Sequence, residues 1–196
     1  MDVLQKSSGG LHVIPSETKL LSNRIIFLEG EIDTETACEF CRGFLFLCGE
    51  DAQAPVTVLI NSEGGEVNAG LMIYDIIRTC SVPVRTVCVG KAYSMAALIL
   101  AGGTQKRCAL PHAEILIHEP LLGNRIAGNT SSLKSISDSL LSVKKKLNGI
   151  LADLTGRSEE EIDQATAYDH FLNAEEARDF RLIDEITDFR DILSGR

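Results

Sequence analysis

Short apolar runs rich in β-branched residues alternate with stretches of helical periodicity along most of this 196-residue chain. That alternation leaves few folds open, because strands joined through helices run parallel and need both faces covered. Residues 24–28, 56–60, 84–89 and 113–117 read as strands. Residues 34–48, 69–79 and 94–101 read as helices, the second on Leu71, Ile73, Ile76 and Ile77. The expectation is an α/β domain with a largely parallel sheet. With 44% hydrophobic residues the chain can build one core comfortably and is barely long enough for two. One domain over 20–190 is expected, between an arm at 1–19 and a tail at 191–196. The polar, glycine-ended stretch 1–10 is expected to be mobile.

The last third changes character. Residues 129–155 carry Leu133, Ile136, Leu140, Leu141, Val143, Leu147, Ile150 and Leu151 at helical spacing and close at Thr155-Gly156. Such a helix extends about 40 Å at its regular rise. One small sheet cannot pack its whole length, so its outer portion is expected to project and meet another subunit. Two short helices follow, at 158–166 and 174–178, with Ser158 and Asn173 placed as N-caps ahead of Glu161 and Glu176.

Charge and composition exclude several classes. A net charge of −9 argues against a nucleic-acid-binding surface, which needs clustered cations. The one basic run, Lys144-Lys145-Lys146, reads as a solvated helix face. No apolar segment is long enough to span a bilayer, and the first residues do not look like a secretory signal. A cytoplasmic protein is expected. Cys38 and Cys41 form a lone C-x-x-C in a helical segment without further metal ligands, so all six cysteines read as buried reduced thiols and no metal is expected.

Chemistry concentrates where the apolar runs finish. Ser94 follows Gly90-Lys91-Ala92-Tyr93, His118 follows Ile115-Leu116-Ile117, and Asp169 lies farther on. A serine hydroxyl needs a base within hydrogen-bond reach, and that base needs a partner that fixes its tautomer. His118 and Asp169 would meet those needs. Ser94 is also a plausible N-cap, and as the start of a helix it would set the Met95 amide beside a reacting carbonyl. Asn61-Ser62-Glu63-Gly64-Gly65 follows a strand directly, and paired glycines allow backbone N–H groups close to a ligand, as an oxyanion hole requires. No Gly-x-Ser-x-Gly elbow surrounds Ser94. His12, His112 and His170 have no comparable context.

These segments, with Ala109-Leu110-Pro111-His112, Glu119-Pro120 and Asn173-Ala174-Glu175-Glu176-Ala177, resemble in order and spacing the ClpP family of ATP-dependent Clp protease proteolytic subunits. The resemblance runs from about Leu20 to Ile186. It implies a ClpP/crotonase-like α/β fold of repeated β-β-α units with a projecting handle helix at about 129–155. It implies a serine endopeptidase with Ser94 as nucleophile, His118 as general base and Asp169 as orienting acid, and it gives the oxyanion to the amides of Gly65 and Met95. Gly64, Pro120 and Leu121 would contact substrate. Heptameric rings, paired as a tetradecamer in that family, would enclose a chamber fed with unfolded polypeptides by an AAA+ Clp ATPase. ATP would then belong to that partner, and this chain would carry no cofactor.

The chain also departs from the family pattern. Glu63 replaces the usual proline, Tyr93 replaces an alanine and could crowd the substrate side, and Ala167-Tyr168 stand where an Asp-Arg pair commonly bridges rings. Thr57 and Leu59 replace tyrosines of the ATPase-loop pocket. Glu119 replaces a glutamine and, unpaired and turned inward, would favour protonated His118. Two other readings are a catalytically weak ring subunit assembling with active paralogues and a crotonase-fold acyl-CoA enzyme.

Overall fold

The computed structural model describes residues 1–7, 9–122 and 129–193. A seven-stranded sheet carries the domain, ordered β3 (Ile25–Ile32), β4 (Val56–Gly65), β5 (Val84–Tyr93), β6 (Lys106–Ala109) and β9 (Glu185–Ile186). All of these pairs are parallel. The long β5 serves two partners, pairing β6 through 85–88 and then β7 (Glu114–Ile117) through 91–93. β8 (His170–Asn173) adds to β7 antiparallel.

The inner face of this sheet is covered by α2 (Thr34–Glu50), α3 (Val67–Thr79) and α4 (Met95–Ala101). Ile26 and Leu28 of β3, Val58 and Ile60 of β4, and Phe40 and Phe44 of α2 share one buried cluster. All seven residues of α4 are buried. A helix apolar on every side belongs inside a core, so the backbone around Ser94 is held by packing on all sides. On the outer face Leu59, Val87 and Cys108 form a smaller cluster with Ile192 of α8 (Phe189–Leu193). Arg85 is buried beside it and donates to Asp191 O and Thr187 Oγ1.

The long helix is α5 (Thr130–Thr155), N-capped by Asn129 and stopped by Gly156 at φ 67°. Its buried residues begin only at Leu147, while Leu133 and Leu141 are exposed. The early turns thus carry an apolar stripe that the domain leaves uncovered. α6 (Glu159–Thr166) and α7 (Ala174–Asp179) follow, and Ser158 and Asn173 complete capping boxes with Glu161 and Glu176.

Several expectations are corrected. β4 and β5 run on to Gly65 and Tyr93, because register shifts between Ile60 and Ser62 let pairing continue past the apolar run. The stretch expected as a mobile arm holds a hairpin, β1 (Asp2–Ser7) against β2 (Gly10–Pro15), followed by α1 (Ser16–Ser22). Leu4 and Val13 face each other across it and are exposed. β6, β8, β9 and α8 are too short to have shown a period. Of the cysteines only Cys88 and Cys108 are fully buried, and Cys38, Cys41, Cys48 and Cys80 are partly exposed.

Candidate active site

Ser94 sits at the junction of β5 and α4 with φ 55° and ψ −121°. A non-glycine residue at positive φ is strained, and such strain persists only where the surroundings impose it. Here the Ser94 N–H donates to Leu116 O of β7 at 2.8 Å, and the Ser94 carbonyl accepts from Ala97 and Leu98 at 3.0 and 3.3 Å. The turn is a sharp strand-to-helix elbow built without flanking glycines. Although Ser94 holds the N-cap position, its side chain makes no capping bond, so the helix terminus does not claim the hydroxyl. As the first residue of α4, Met95 has no intrahelical acceptor for its N–H.

The glycine turn packs against this elbow. Gly64 has φ 87°, and a Cβ there would come within 2.5 Å of Tyr93 O and 2.8 Å of Ser94 Cβ. At Gly65, φ 155°, a Cβ would lie 2.2 Å from Ile32 O. Only glycine fits either position. Ser62, fully buried, shapes the turn by donating to Gly30 O and accepting from the Gly64 N–H at 3.0 Å. The sequence reading had given Ser62 no role.

A cleft of about 250 Å³ joins Ser94, Met95, Gly65, His118, Pro120 and Leu121. Its floor is apolar, from Val67, Leu98, Ile117, Leu147 and Leu151, with Asn148 and Glu63 as polar members. Gly64 does not line it and acts from behind, against the elbow. The periodic stripe of α5 already contained Leu147 and Leu151. Asn148, a buried polar residue on that helix, was missed and interrupts the stripe.

His118 stands just after β7, half-buried, with Nδ1 2.5 Å from its neighbour's carbonyl, Glu119 O. A carbonyl oxygen only accepts, so Nδ1 is the donor in this contact. The β7–β8 ladder ends at Ile117 opposite His170, and one further step sets Asp169 across from His118. Asp169 is nevertheless exposed, and among the described residues no hydrogen bond joins it to His118 or joins His118 to Ser94. The structure therefore brings the serine and histidine to one cleft and leaves the aspartate exposed and outside its lining.

Two departures take a different form from that expected. Tyr93 does not face the cleft: its hydroxyl donates to Glu114 Oε1, its ring meets Phe171 edge-on at 5.9 Å, and the bond to Glu114 pushes its phenol up to about 12. Glu119 is paired, 2.9 Å from Lys144 Nζ. Lys144 accordingly belongs to a network rather than to a solvated basic face. Glu63 pairs with Lys91 at 3.2 Å. Among the described residues no group of His, Cys, Asp and Glu side chains could hold a metal ion, and no helix is long and apolar enough to cross a membrane.

A family model described as Clp protease matches residues 8–190. That range spans the glycine turn, the serine elbow, the histidine strand end and the long helix, and the mixed α/β architecture is the one this family requires. The chain belongs to the Clp protease family.

Proposed function

We propose that this chain is a serine endopeptidase that cleaves unfolded polypeptides as the chamber subunit of a Clp-type ATP-dependent protease. The reading rests on one observation: a serine strained at an elbow, its side chain not used as a helix cap, shares a cleft with a histidine whose Nδ1 is held by the Glu119 carbonyl and with the backbone of Gly65 and Met95. Ser94 Oγ attacks the substrate carbonyl carbon while its proton passes to His118 Nε2. The Gly65 and Met95 amides face the oxyanion. The peptide C–N bond then breaks as Nε2 returns the proton to the leaving amine, and water hydrolyses the acyl-enzyme by the same route. The apolar floor suits an apolar side chain beside the scissile bond. Asp169, across the β7–β8 ladder from His118, favours the imidazolium that forms while the Glu119 carbonyl holds Nδ1, and Pro120 and Leu121 guide the substrate backbone. Rings of this chain, an AAA+ ATPase that spends the ATP, and a cytoplasmic setting complete the proposal.

A second reading, a catalytically weak ring subunit, is favoured by the same site, since neither triad hydrogen bond is made in this conformation. Fluorophosphonate treatment followed by mass spectrometry separates the two. An adduct on Ser94, absent in Ser94→Ala, is the expected result, and a folded assembly without adduct would sink the peptidase reading.

A further inference from the structure

Behind His118 lies a polar network that the proton transfers do not use. The Glu119 N–H donates to Thr166 O, at the end of α6, at 2.7 Å. The Glu119 carboxylate meets Lys144 Nζ of α5 at 2.9 Å, and the same ammonium meets Asp163 Oδ1 of α6 at 2.8 Å. Asp163 in turn accepts from Asn148 Nδ2 at 3.1 Å, and Thr166 Oγ1 lies 3.4 Å from Asn148 Oδ1. The Lys144 side chain is only 23% exposed, and its bonds to Asp163 and Glu119 hold its ammonium above the ordinary lysine range. Two elements, α5 and α6, thus converge on the peptide that follows the base. The group which that peptide presents to the imidazole is the Glu119 carbonyl on Nδ1.

We propose that Lys144 is a positioning residue for His118: by anchoring and neutralising Glu119 it keeps the Glu119 carbonyl on Nδ1 and the Nε2 lone pair free for Ser94. The proposal rests on the Ser94–His118 reading of the site. Its first part is geometric, since the tautomer is set by the hydrogen bond at the other ring nitrogen. Its second part is electrostatic. The charged groups around His118 are Glu119 on its own segment, Lys144 of α5, Asp163 of α6, Glu63 of the glycine turn with its partner Lys91 of β5, and Asp169 across the ladder. Without Lys144 the nearest carboxylate stands unpaired one residue from the base and favours the imidazolium. Ion pairs near a protein surface contribute little net stability, so a stability measurement does not discriminate and the ring itself must be read.

The test uses the full chain, with two readouts against pH: the rate of Ser94 labelling by a fluorophosphonate, and deuterium exchange at C2–H of His118 followed by mass spectrometry, which reports ring protonation without activity. In Lys144→Met, labelling at neutral pH should fall about tenfold, one 1.4 kcal/mol step in barrier. Its acid limb and the His118 exchange midpoint should both move up by roughly half to one pH unit. Lys144→Arg should stay within about threefold of the parent at an unshifted midpoint, and adding Glu119→Gln to Lys144→Met should return the midpoint. A folded Lys144→Met chain with rate and midpoint unmoved would overturn the proposal. A parent chain that takes no label overturns the peptidase reading alone, because the exchange midpoints still decide whether Lys144 governs His118.

Discussion

At the scale of single residues, the site is a set of positions where only one residue type is tolerated or one orientation is possible. Gly65 is the sharpest case, because its left-handed backbone and its approach to Ile32 leave no room for a side chain. Gly65→Ala should cost on the order of 2–4 kcal/mol through strain and displaced backbone, read as a lower urea midpoint with unchanged slope. It should also slow Ser94 labelling, since β4 must retreat from the oxyanion side. Ser94, His118, Gly65 and Met95 were legible as candidates, because chemistry at the ends of buried strands is visible in a sequence. The directions of Tyr93 and Glu119 were not. A strand residue points to one face or the other according to register, and a carboxylate chooses its partner from residues distant in sequence, here Lys144.

At the scale of elements, the chain holds its short outer pieces with arginines rather than with area. Arg107 of β6 donates to Leu154 O and Arg181 O at 3.1 and 3.0 Å, and its backbone N–H and Nε meet the Asp184 carboxylate at 2.8 and 3.1 Å. This ties β6 and the end of α5 to the turn before β9. Burial alone would raise the Asp184 carboxyl, but the Arg107 bonds outweigh it and hold it below the ordinary aspartate range. A depressed carboxylate stabilises the fold above its unfolded value, and that contribution is lost as pH falls through the folded value. Asp184→Asn should therefore be less stable than the parent by about 1 kcal/mol near pH 7, after discounting for solvent on a carboxylate 43% exposed. The gap should close below about pH 4, and urea melts across pH would show it. A gap independent of pH would count against this role. The long elements were legible because their periods repeat over several turns, and both capping boxes could be found by spacing. β6, β8 and β9, of four, four and two residues, are too short for a period and exist because a neighbour pairs with them.

At the scale of the whole molecule, the uncovered face of α5 is the main unfinished surface. Leu133 and Leu141 are exposed along turns with no fully buried residue, and Tyr168 (85% exposed), Phe171 and Leu121 are exposed elsewhere. Apolar residues gathered on one element in this way mark association surfaces. If the proposed rings form through α5, Leu133→Glu with Leu141→Glu should lower the native mass of the chain in solution while its circular dichroism is kept. An assembly unchanged in mass would remove α5 from the subunit contact. The longer strands and helices, the largely parallel sheet, the long helix and the serine, histidine and glycine positions as candidates could be read from the sequence, because periodicity, capping and strand-end chemistry are local properties. The exposure of Asp169, the Glu119 carbonyl on Nδ1, the Lys144 network and the pairing of β5 with β6 and then β7 were decided only by tertiary structure. Each depends on which distant segment packs beside a group, and no local pattern encodes that choice.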